Sequence, residues 1–143
     1  MPIRSLCFSA DGSLLFTASD DMRVNVYDVK NTSLVASFTG HTSWVLSVDC
    51  CPDGRHFATG HRKHVFPRCV CPCFRVLYVF GSLEHRRGSD QTVKIWDMAA
   101  KECVHTFDSA HNNQVWSVAY SPAGDKLVSG CDDGVLQVFE KAA

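Results

Sequence analysis

Apolar residues alternate with polar ones in short runs along most of the chain, and turn residues separate these runs. Residues 93–96 form one such run, which follows a turn signal at residues 88–90. Residues 17–28 and 129–140 repeat this arrangement of a turn followed by an alternating run. Alternation with a period of two is typical of half-buried β-strands. The pattern therefore predicts an all-β chain built from repeats.

Each repeat contains more than this one strand. Turn sequences at residues 9–12, 51–54 and 121–124 lie between two apolar runs, so each predicts a β-hairpin. Further apolar runs at residues 34–38 and 103–107 precede the repeat boundaries. One unit thus contains four strands, which is the composition of a propeller blade.

The spacing of equivalent residues indicates an insertion in the middle repeat. Gly12 and Gly54 are 42 residues apart, whereas Gly54 and Gly124 are 70 residues apart. The excess is about 27 residues and is best placed at residues 61–87. This segment carries six Lys or Arg residues and one acidic residue, Glu84. We expect it to be a surface loop between the second and third strands of a blade.

Composition sets broad limits on function. The 143 residues are 45% hydrophobic and 20% charged, as in an ordinary globular domain, and the net charge is −1. This charge gives no reason to expect nucleic acid or an anionic membrane as partner. The sequence has no apolar run of membrane-spanning length and no secretory leader at its start, so we expect an intracellular protein.

Eight cysteines are present, and four of them lie on strand-like segments: Cys7, Cys50, Cys103 and Cys131. We expect reduced, buried thiols in an intracellular protein. Disulfides are the alternative interpretation.

The boundary sequence Gly40-His41, the ending Trp96-Asp97 and a period of 42 to 43 residues without the insert carry a family resemblance. In these features the chain resembles the WD-repeat family of β-propellers. The resemblance implies a partial WD-repeat β-propeller with about three four-stranded antiparallel blades in an incomplete ring.

The blades implied by the resemblance have definite limits. Residues 1–40 form a first blade with an incomplete start, residues 41–110 a second blade that contains the insert, and residues 111–143 a third blade that lacks its last strand. The chain looks like the C-terminal three blades of a seven-bladed protein. Exposed sheet edges would then make it prone to aggregation or dependent on a partner.

Blades of this family are held by a buried hydrogen-bond network of His, Ser or Thr, Asp and Trp side chains. Tyr27 and Phe139 replace the Trp of the first and last blades, so only the middle blade has the full set. Such groups are more plausible as satisfied structural residues than as catalytic ones. The network positions are His41, Thr59, Asp90 and Trp96 in the middle blade, His111, Ser129 and Asp133 in the last, and Thr17 and Asp21 in the first.

The resemblance also implies a partner-binding rim formed by loops at one end of the blades. Trp44, Trp116 and Arg4 have the residue types that dominate binding hot spots. The alternative for both Trp residues is that they pack against neighbouring blades. The rim positions are Pro2, Arg4, Asp20, Trp44, Leu46, Ser89, Gln114, Trp116 and Asp132.

The insert provides an alternative function. Its Cys and His residues are of metal-ligand type, and its Arg and Lys residues could contact phosphates, so it could be a metal- or RNA-binding module. However, its Cys-x-Cys-x-Cys spacing differs from the Cys-x-x-Cys zinc knuckle. A disordered loop and a retained non-coding sequence translated in frame are the other interpretations. The ligand-type residues are His61, His64, Cys69, Cys71, Cys73 and His85.

The sequence contains no phosphate-binding glycine loop, nucleophile elbow or paired-carboxylate motif, so we expect no catalytic residues, no cofactor and no small-molecule substrate. The expected function is a non-catalytic scaffold for protein–protein interaction. The resemblance extends to subunits of transcription-elongation and RNA-decay assemblies in the nucleus and cytoplasm. The expected partners are protein subunits of such a complex, without membrane or direct nucleic-acid binding.

Overall fold

A computed structural model of the chain describes residues 1–61, 74–80, 91–111, 114–132 and 134–141, with the backbone alone at 61, 74–80, 91 and 108–110. In that part of the chain, no helix has the length and apolar character needed to cross a membrane. The strands are β1 (Ile3–Phe8), β2 (Leu14–Ser19), β3 (Val24–Asp28), β4 (Ser33–Phe38), β5 (Val45–Cys50), β6 (His56–His61), β7 (Phe74–Phe80), β8 (Gln91–Asp97), β9 (Glu102–His111), β10 (Val115–Tyr120), β11 (Lys126–Cys131) and β12 (Leu136–Lys141).

These strands form three four-stranded antiparallel sheets. The first has the order β1-β2-β3-β4, the middle one β5-β6-β8-β9 and the last β10-β11-β12-β7. The middle sheet contacts both of the others through its first strand, β5, and the three sheets do not close a ring. The predicted fold class, an all-β partial propeller, is therefore confirmed.

The fourth strand of the last sheet corrects the expectation that the insert is a surface loop. Residues 111–143 supply three strands of this sheet, and the fourth is β7, which lies in the insert. β7 pairs antiparallel with β12, from Leu136 opposite Phe80 to Lys141 opposite Phe74. The insert is thus more than a surface loop at these residues. An unpaired β12 would present a row of free N–H and C=O groups, and β7 satisfies them.

The predicted hairpin turns are confirmed at all three positions. Gly12, Gly54 and Gly124 have φ angles of 71°, 69° and 72°, which are left-handed values that glycine adopts without steric cost. The N–H of each glycine donates to the carbonyl of the residue three positions earlier, at 2.8, 3.1 and 2.9 Å. The turn chemistry therefore fixes the register of β1–β2, β5–β6 and β10–β11.

The inner strands β1, β5 and β10 lie side by side and are joined by polar contacts. Ser5 Oγ accepts from the N–H of Val48 at 3.4 Å, and Ser47 Oγ accepts from the N–H of Val118 at 3.1 Å. Two residues further along, Asp49 Oδ2 accepts from the N–H of Tyr120 at 2.6 Å. In the β1–β5 pair the next contact is between Cys7 and Cys50, whose Sγ atoms are 3.0 Å apart. Contacts thus advance in step along both strands of each pair, so the three strands run in the same direction. We call the interface between β1 and β5 the β1–β5 seam and the interface between β5 and β10 the β5–β10 seam.

Two hydrophobic clusters lie between the sheets. The first joins the first and middle sheets, and Phe38 packs edge-on against both Phe57 and Trp96, at 4.9 and 5.8 Å between ring centroids. The second joins the middle and last sheets, and Phe107 contacts Phe139 at 4.2 Å. Burial of these aromatic side chains is the main stabilising term for the stacking of the sheets.

Candidate functional site

The starts of the three inner strands lie at one end of the molecule, because these strands run in the same direction. Arg4 lies near the start of β1, Trp44 directly precedes β5, and Trp116 lies near the start of β10. Both Trp side chains are exposed, Trp44 by 44% and Trp116 by 53%. This end of the described sheets therefore carries aromatic surface that no other described residue covers fully.

Arg4, Asp20 and Trp44 form one cluster at this end. Arg4 Nε donates to Asp20 Oδ1 at 2.7 Å, and Arg4 Nη2 donates to Asp20 Oδ2 at 2.6 Å. The guanidinium carbon of Arg4 lies 5.6 Å from the centre of the Trp44 ring, which is a cation–π distance. Two-point pairing fixes the plane of the guanidinium. The cluster thus holds an Arg from the first sheet over an exposed Trp of the middle sheet.

The charge state of the cluster is set by the Arg4–Asp20 pair. The hydrogen bond from Arg4 lowers the pKa of Asp20, against the opposing effect of burial. The same bond raises the pKa of Arg4. Both groups are therefore ionised near neutral pH. Asp20 is nearly covered, at 7% exposure, whereas Arg4 remains 43% exposed and available to a partner.

The corresponding residues of the last sheet are arranged in a similar way. The N–H of Asp132 donates to the carbonyl of Gln114 at 3.1 Å, as the N–H of Asp20 does to the carbonyl of Pro2 at the same distance. Asp132 is exposed and Gln114 is half-buried. In the first and last sheets, this backbone hydrogen bond therefore connects the turn after the second strand to the residue just before the inner strand. In the last sheet it holds Asp132 at the same end of the molecule as Trp116.

Three further rim positions were predicted, namely Leu46, Ser89 and Pro2. Leu46 is only 7% exposed, so the expectation that it offers surface to a partner is corrected. Its side chain is covered because β5 lies between two neighbouring inner strands. Ser89 lies outside the described residues. Pro2 is exposed, and its carbonyl is used in the tie to Asp20.

The network residues of the middle sheet are in contact. His41 Nε2 lies 2.8 Å from Thr59 Oγ1, and Trp96 Nε1 donates to the same oxygen at 2.9 Å. All three side chains are buried. Gly40, at φ +134°, approaches Trp96 so closely that an added Cβ would lie 3.2 Å from Cη2 of the ring, which explains the Gly-His pair at this boundary. A buried hydroxyl that serves two ring nitrogens has a structural role.

The other two sheets contain parts of this network. In the last sheet His111 Nε2 lies 2.6 Å from Ser129 Oγ. In the first sheet Thr17 Oγ1 donates to the carbonyl of Asn25 at 3.4 Å, and Asp21 accepts from the N–H of Arg23 at 3.0 Å. Asp90 and Asp133 lie outside the described residues.

The seam residues Ser5, Ser47 and Asp49 were not singled out from the sequence. A signal was available, because serine recurs at the same repeat position in Ser5, Ser47 and Ser117. Burial raises the pKa of Asp49, although the N–H of Tyr120 acts in the opposite direction. These residues position the inner strands, and through them the rim.

The metal-ligand residues of the insert lie outside the described part, except for the backbone of His61. Within the residues that are described, no group of three or more His, Cys, Asp or Glu side chains is placed to hold a metal ion. Among the described cysteines, Cys51 is buried, whereas Cys7, Cys50, Cys103 and Cys131 are half-buried and not fully buried as had been expected.

Comparison with known proteins places this geometry in a family context. The chain matches the family described as WD domain, G-beta repeat over residues 1–28, 32–97 and 101–140. It is 27% identical over 94% of its length to Protein groucho of Drosophila melanogaster, and covers 14% of that protein. It is 31% identical over 97% of its length to the COMPASS component SWD3 of Saccharomyces cerevisiae, and covers 35% of it.

A third relative is the nuclear distribution protein nudF 2 of Penicillium rubens, which is 25% identical over 96% of the chain and of which the chain covers 28%. The chain thus spans between about a seventh and about a third of the length of these relatives. The match extends over all three sheets and both sides of the insert. The chain belongs to the WD-repeat family.

Proposed function

We propose that this chain is a non-catalytic scaffold that binds protein subunits of a multiprotein complex through the rim at the start of its inner strands. The binding residues are Arg4, Asp20 and Trp44, with Gln114, Trp116 and Asp132 on the last sheet. The repeat limits that go with this proposal are residues 1–40, 41–110 and 111–143. It involves no cofactor, small-molecule substrate, membrane or direct nucleic-acid contact.

The observation that carries the proposal is the cluster of Arg4, Asp20 and Trp44. Binding hot spots are enriched in Trp and Arg, and a side chain already held in position loses less conformational entropy when a partner binds. Two hydrogen bonds to Asp20 hold the Arg4 side chain in position. The Trp44 side chain remains 44% exposed although Arg4 lies near its ring. A Trp that packs between two sheets for structural reasons would be covered, as Trp96 is at 2% exposure. The cluster therefore has the residue types and the fixed side-chain conformation expected of a binding hot spot.

The finer proposal concerns the complex. Residues 1–6, 17–21, 40–46 and 103–107 look like the small WD-repeat subunit shared by the superkiller RNA-decay complex and the RNA polymerase II-associated factor complex. The relative named as a COMPASS component is also a subunit of a larger assembly by its name. We therefore place this chain in the nucleus and the cytoplasm, as a subunit that joins components of transcription elongation, RNA decay or both.

Co-purification tests this proposal. The tagged chain is expressed in cells, and subunits of the two complexes are measured by quantitative mass spectrometry. We expect subunits of at least one complex to be enriched with the unaltered chain, and at least tenfold less with Trp44→Ala. Arg4→Ala should give a smaller loss, because Trp44 keeps its own contact area.

Matched controls lie away from the rim. Leu34→Ala removes an apolar side chain that is 57% exposed on the outer strand β4, and Lys30→Ala removes an exposed cation in the turn between β3 and β4. Neither control should lower recovery by more than about twofold, since exposed substitutions away from such features have small effects. Equal recovery of subunits with Trp44→Ala and Leu34→Ala would contradict the proposal that the rim binds them. Recovery of neither complex with the unaltered chain would contradict the finer proposal alone.

A further inference from the structure

The β1–β5 seam contains a pair of cysteines. Cys7 on β1 and Cys50 on β5 are 43 residues apart in the chain, and their Sγ atoms are 3.0 Å apart. Both thiols are free and half-buried, and one donates a hydrogen bond to the other. The two sulfurs belong to different sheets, so a bond between them would join one blade to the next.

The backbone contacts around this pair hold it in place. Two residues before each cysteine, Ser5 Oγ accepts from the N–H of Val48, so the strands are aligned at the seam. At the β5–β10 seam the equivalent position is filled by Asp49, which accepts from the N–H of Tyr120 at 2.6 Å. The thiol pair therefore occupies the site where the other seam has its short hydrogen bond.

We propose that Cys7 and Cys50 are a modification site, and that they form a reversible disulfide between the first and middle sheets when a small-molecule disulfide such as glutathione disulfide is present. An S–S bond is about 2.05 Å long, so the sulfurs must approach by about 1 Å. Rotation of two half-buried side chains supplies this movement without a change in strand pairing.

The chemistry takes two exchanges. The Cys7 thiolate attacks one sulfur of the small disulfide, and a glutathione thiolate leaves and takes up a proton. Cys50 then loses its proton and attacks Sγ of Cys7, which releases the second glutathione as a thiolate. Two protein thiols lose two electrons and two protons overall, and the small disulfide is reduced to two thiols.

The surroundings of Cys50 control the second exchange. The hydrogen bond with Cys7 and burial both raise the pKa of Cys50, and the neighbouring Asp49 and Cys51 raise it further. Cys7 and Cys50 both pack against the first hydrophobic cluster, as the partly buried apolar residues Leu14, Ala36 and Met98 do. Cys50 therefore stays a thiol at neutral pH and has to lose its proton before it attacks in the second exchange.

The test uses the full chain with Cys69, Cys71 and Cys73 changed to Ser, so that the insert thiols do not compete. The protein is incubated with glutathione disulfide, free thiols are alkylated, and tryptic peptides are identified by mass spectrometry. We expect one cross-linked species that joins the peptide of residues 5–23 to the peptide of residues 31–55, and its loss on reduction. Cys51→Ala should leave the cross-link intact, since residues 31–55 hold both Cys50 and Cys51.

Two further measurements make the result decisive. The denaturant midpoint of the monomer should rise on oxidation, because the bond restrains a long loop in the unfolded chain, and this rise should vanish in Cys50→Ala. Cys131→Ser, a half-buried cysteine on another sheet, should keep both the cross-link and the rise. Full alkylation of Cys7 and Cys50 after oxidation, or cross-links between chains only, would overturn the proposal.

Discussion

The middle and last sheets contain the same buried hydrogen bond in different surroundings. In the middle sheet Thr59 Oγ1 contacts both His41 and Trp96, at 2.8 and 2.9 Å. In the last sheet Ser129 Oγ contacts His111 at 2.6 Å, and Phe139 fills the position opposite Leu127 that Trp96 fills opposite Phe57. The last sheet keeps the aromatic packing, because Phe139 is fully buried, but has no indole donor there.

The two sheets also differ in the origin of their fourth strand. The middle sheet takes β9 from the next segment of its own repeat, whereas the last sheet takes β7 from the insert. The comparison teaches that the buried network and the sheet edge are separate sources of stability. We therefore expect the middle sheet to depend more on its network and the last sheet to depend more on β7.

The largest expected effect follows from removal of the insert. Deletion of residues 61–87 removes β7 and leaves the edge of β12 unpaired, and such an edge is a template for aggregation. We expect a clearly larger aggregated fraction for the deleted chain than for the unaltered chain in size-exclusion chromatography. The Ser variants of Cys69, Cys71 and Cys73 keep β7 and are the matched control. A monomeric deletion variant with an unchanged unfolding midpoint would show that β7 does not support the last sheet.

A smaller effect should separate the two networks. Thr59→Val removes a hydroxyl that two buried ring nitrogens share, and we expect a loss of about 3 kcal/mol in the free energy of unfolding. Ser129→Ala removes the partner of one ring nitrogen, and we expect about 1.5 kcal/mol. Urea unfolding followed by tryptophan fluorescence measures both losses. Equal losses would mean that the indole of Trp96 adds nothing to the middle network.

The smallest expected effect concerns the hairpin turns and depends on pH. Burial alone would raise the pKa of Asp53, but hydrogen bonds from the side chain of His56 and from the N–H groups of Arg55 and His56 lower this pKa to about 2. The last turn has Ala123 at the equivalent position. A lowered pKa stabilises the fold above the unfolded value near pH 4, and this contribution is lost as the pH falls from about 4 to about 2.

Asp53→Asn should therefore cost about 1 kcal/mol near pH 6, after allowance for solvent screening, and almost nothing near pH 2. Urea unfolding of both proteins across this range provides the measurement. Ala123→Ser, at the equivalent turn position that carries no carboxylate, is the control, and its effect should not change with pH over this range. A cost that stays constant from pH 6 to pH 2 would contradict the assigned pKa.

Most of the fold could be predicted from the sequence, because local signals determine it. The Gly residues of the three turns and the alternating runs around them define hairpins without reference to distant residues. The strand β7, by contrast, was not predicted. Residues 74–80 form an apolar run, interrupted only by Arg75, that is rich in aromatic and β-branched residues, but the basic composition of the insert around it indicated a loop. Its partner, β12, is also about 60 residues away, a distance over which sequence patterns say little.

The candidate site was less predictable. Its residue types indicated a rim, but the contact of Arg4 with Trp44 depends on how two sheets stack, which no local pattern specifies. The burial of Leu46 has the same origin, since β5 is covered by neighbours on both sides. The thiol pair of Cys7 and Cys50 could not be predicted either, because the two residues lie on different repeats and meet only across a seam.

The central claim is that the rim binds a protein partner through Trp44, and the most direct test is an affinity measurement. The partner subunit that co-purifies with the chain is prepared alone, and its dissociation constant is measured by calorimetry for the unaltered chain, Trp44→Ala and Leu34→Ala. We predict that Trp44→Ala weakens binding by at least about tenfold, as expected for a hot-spot residue, and that Leu34→Ala changes it by less than about twofold. Equal affinity of the two folded variants would contradict the account.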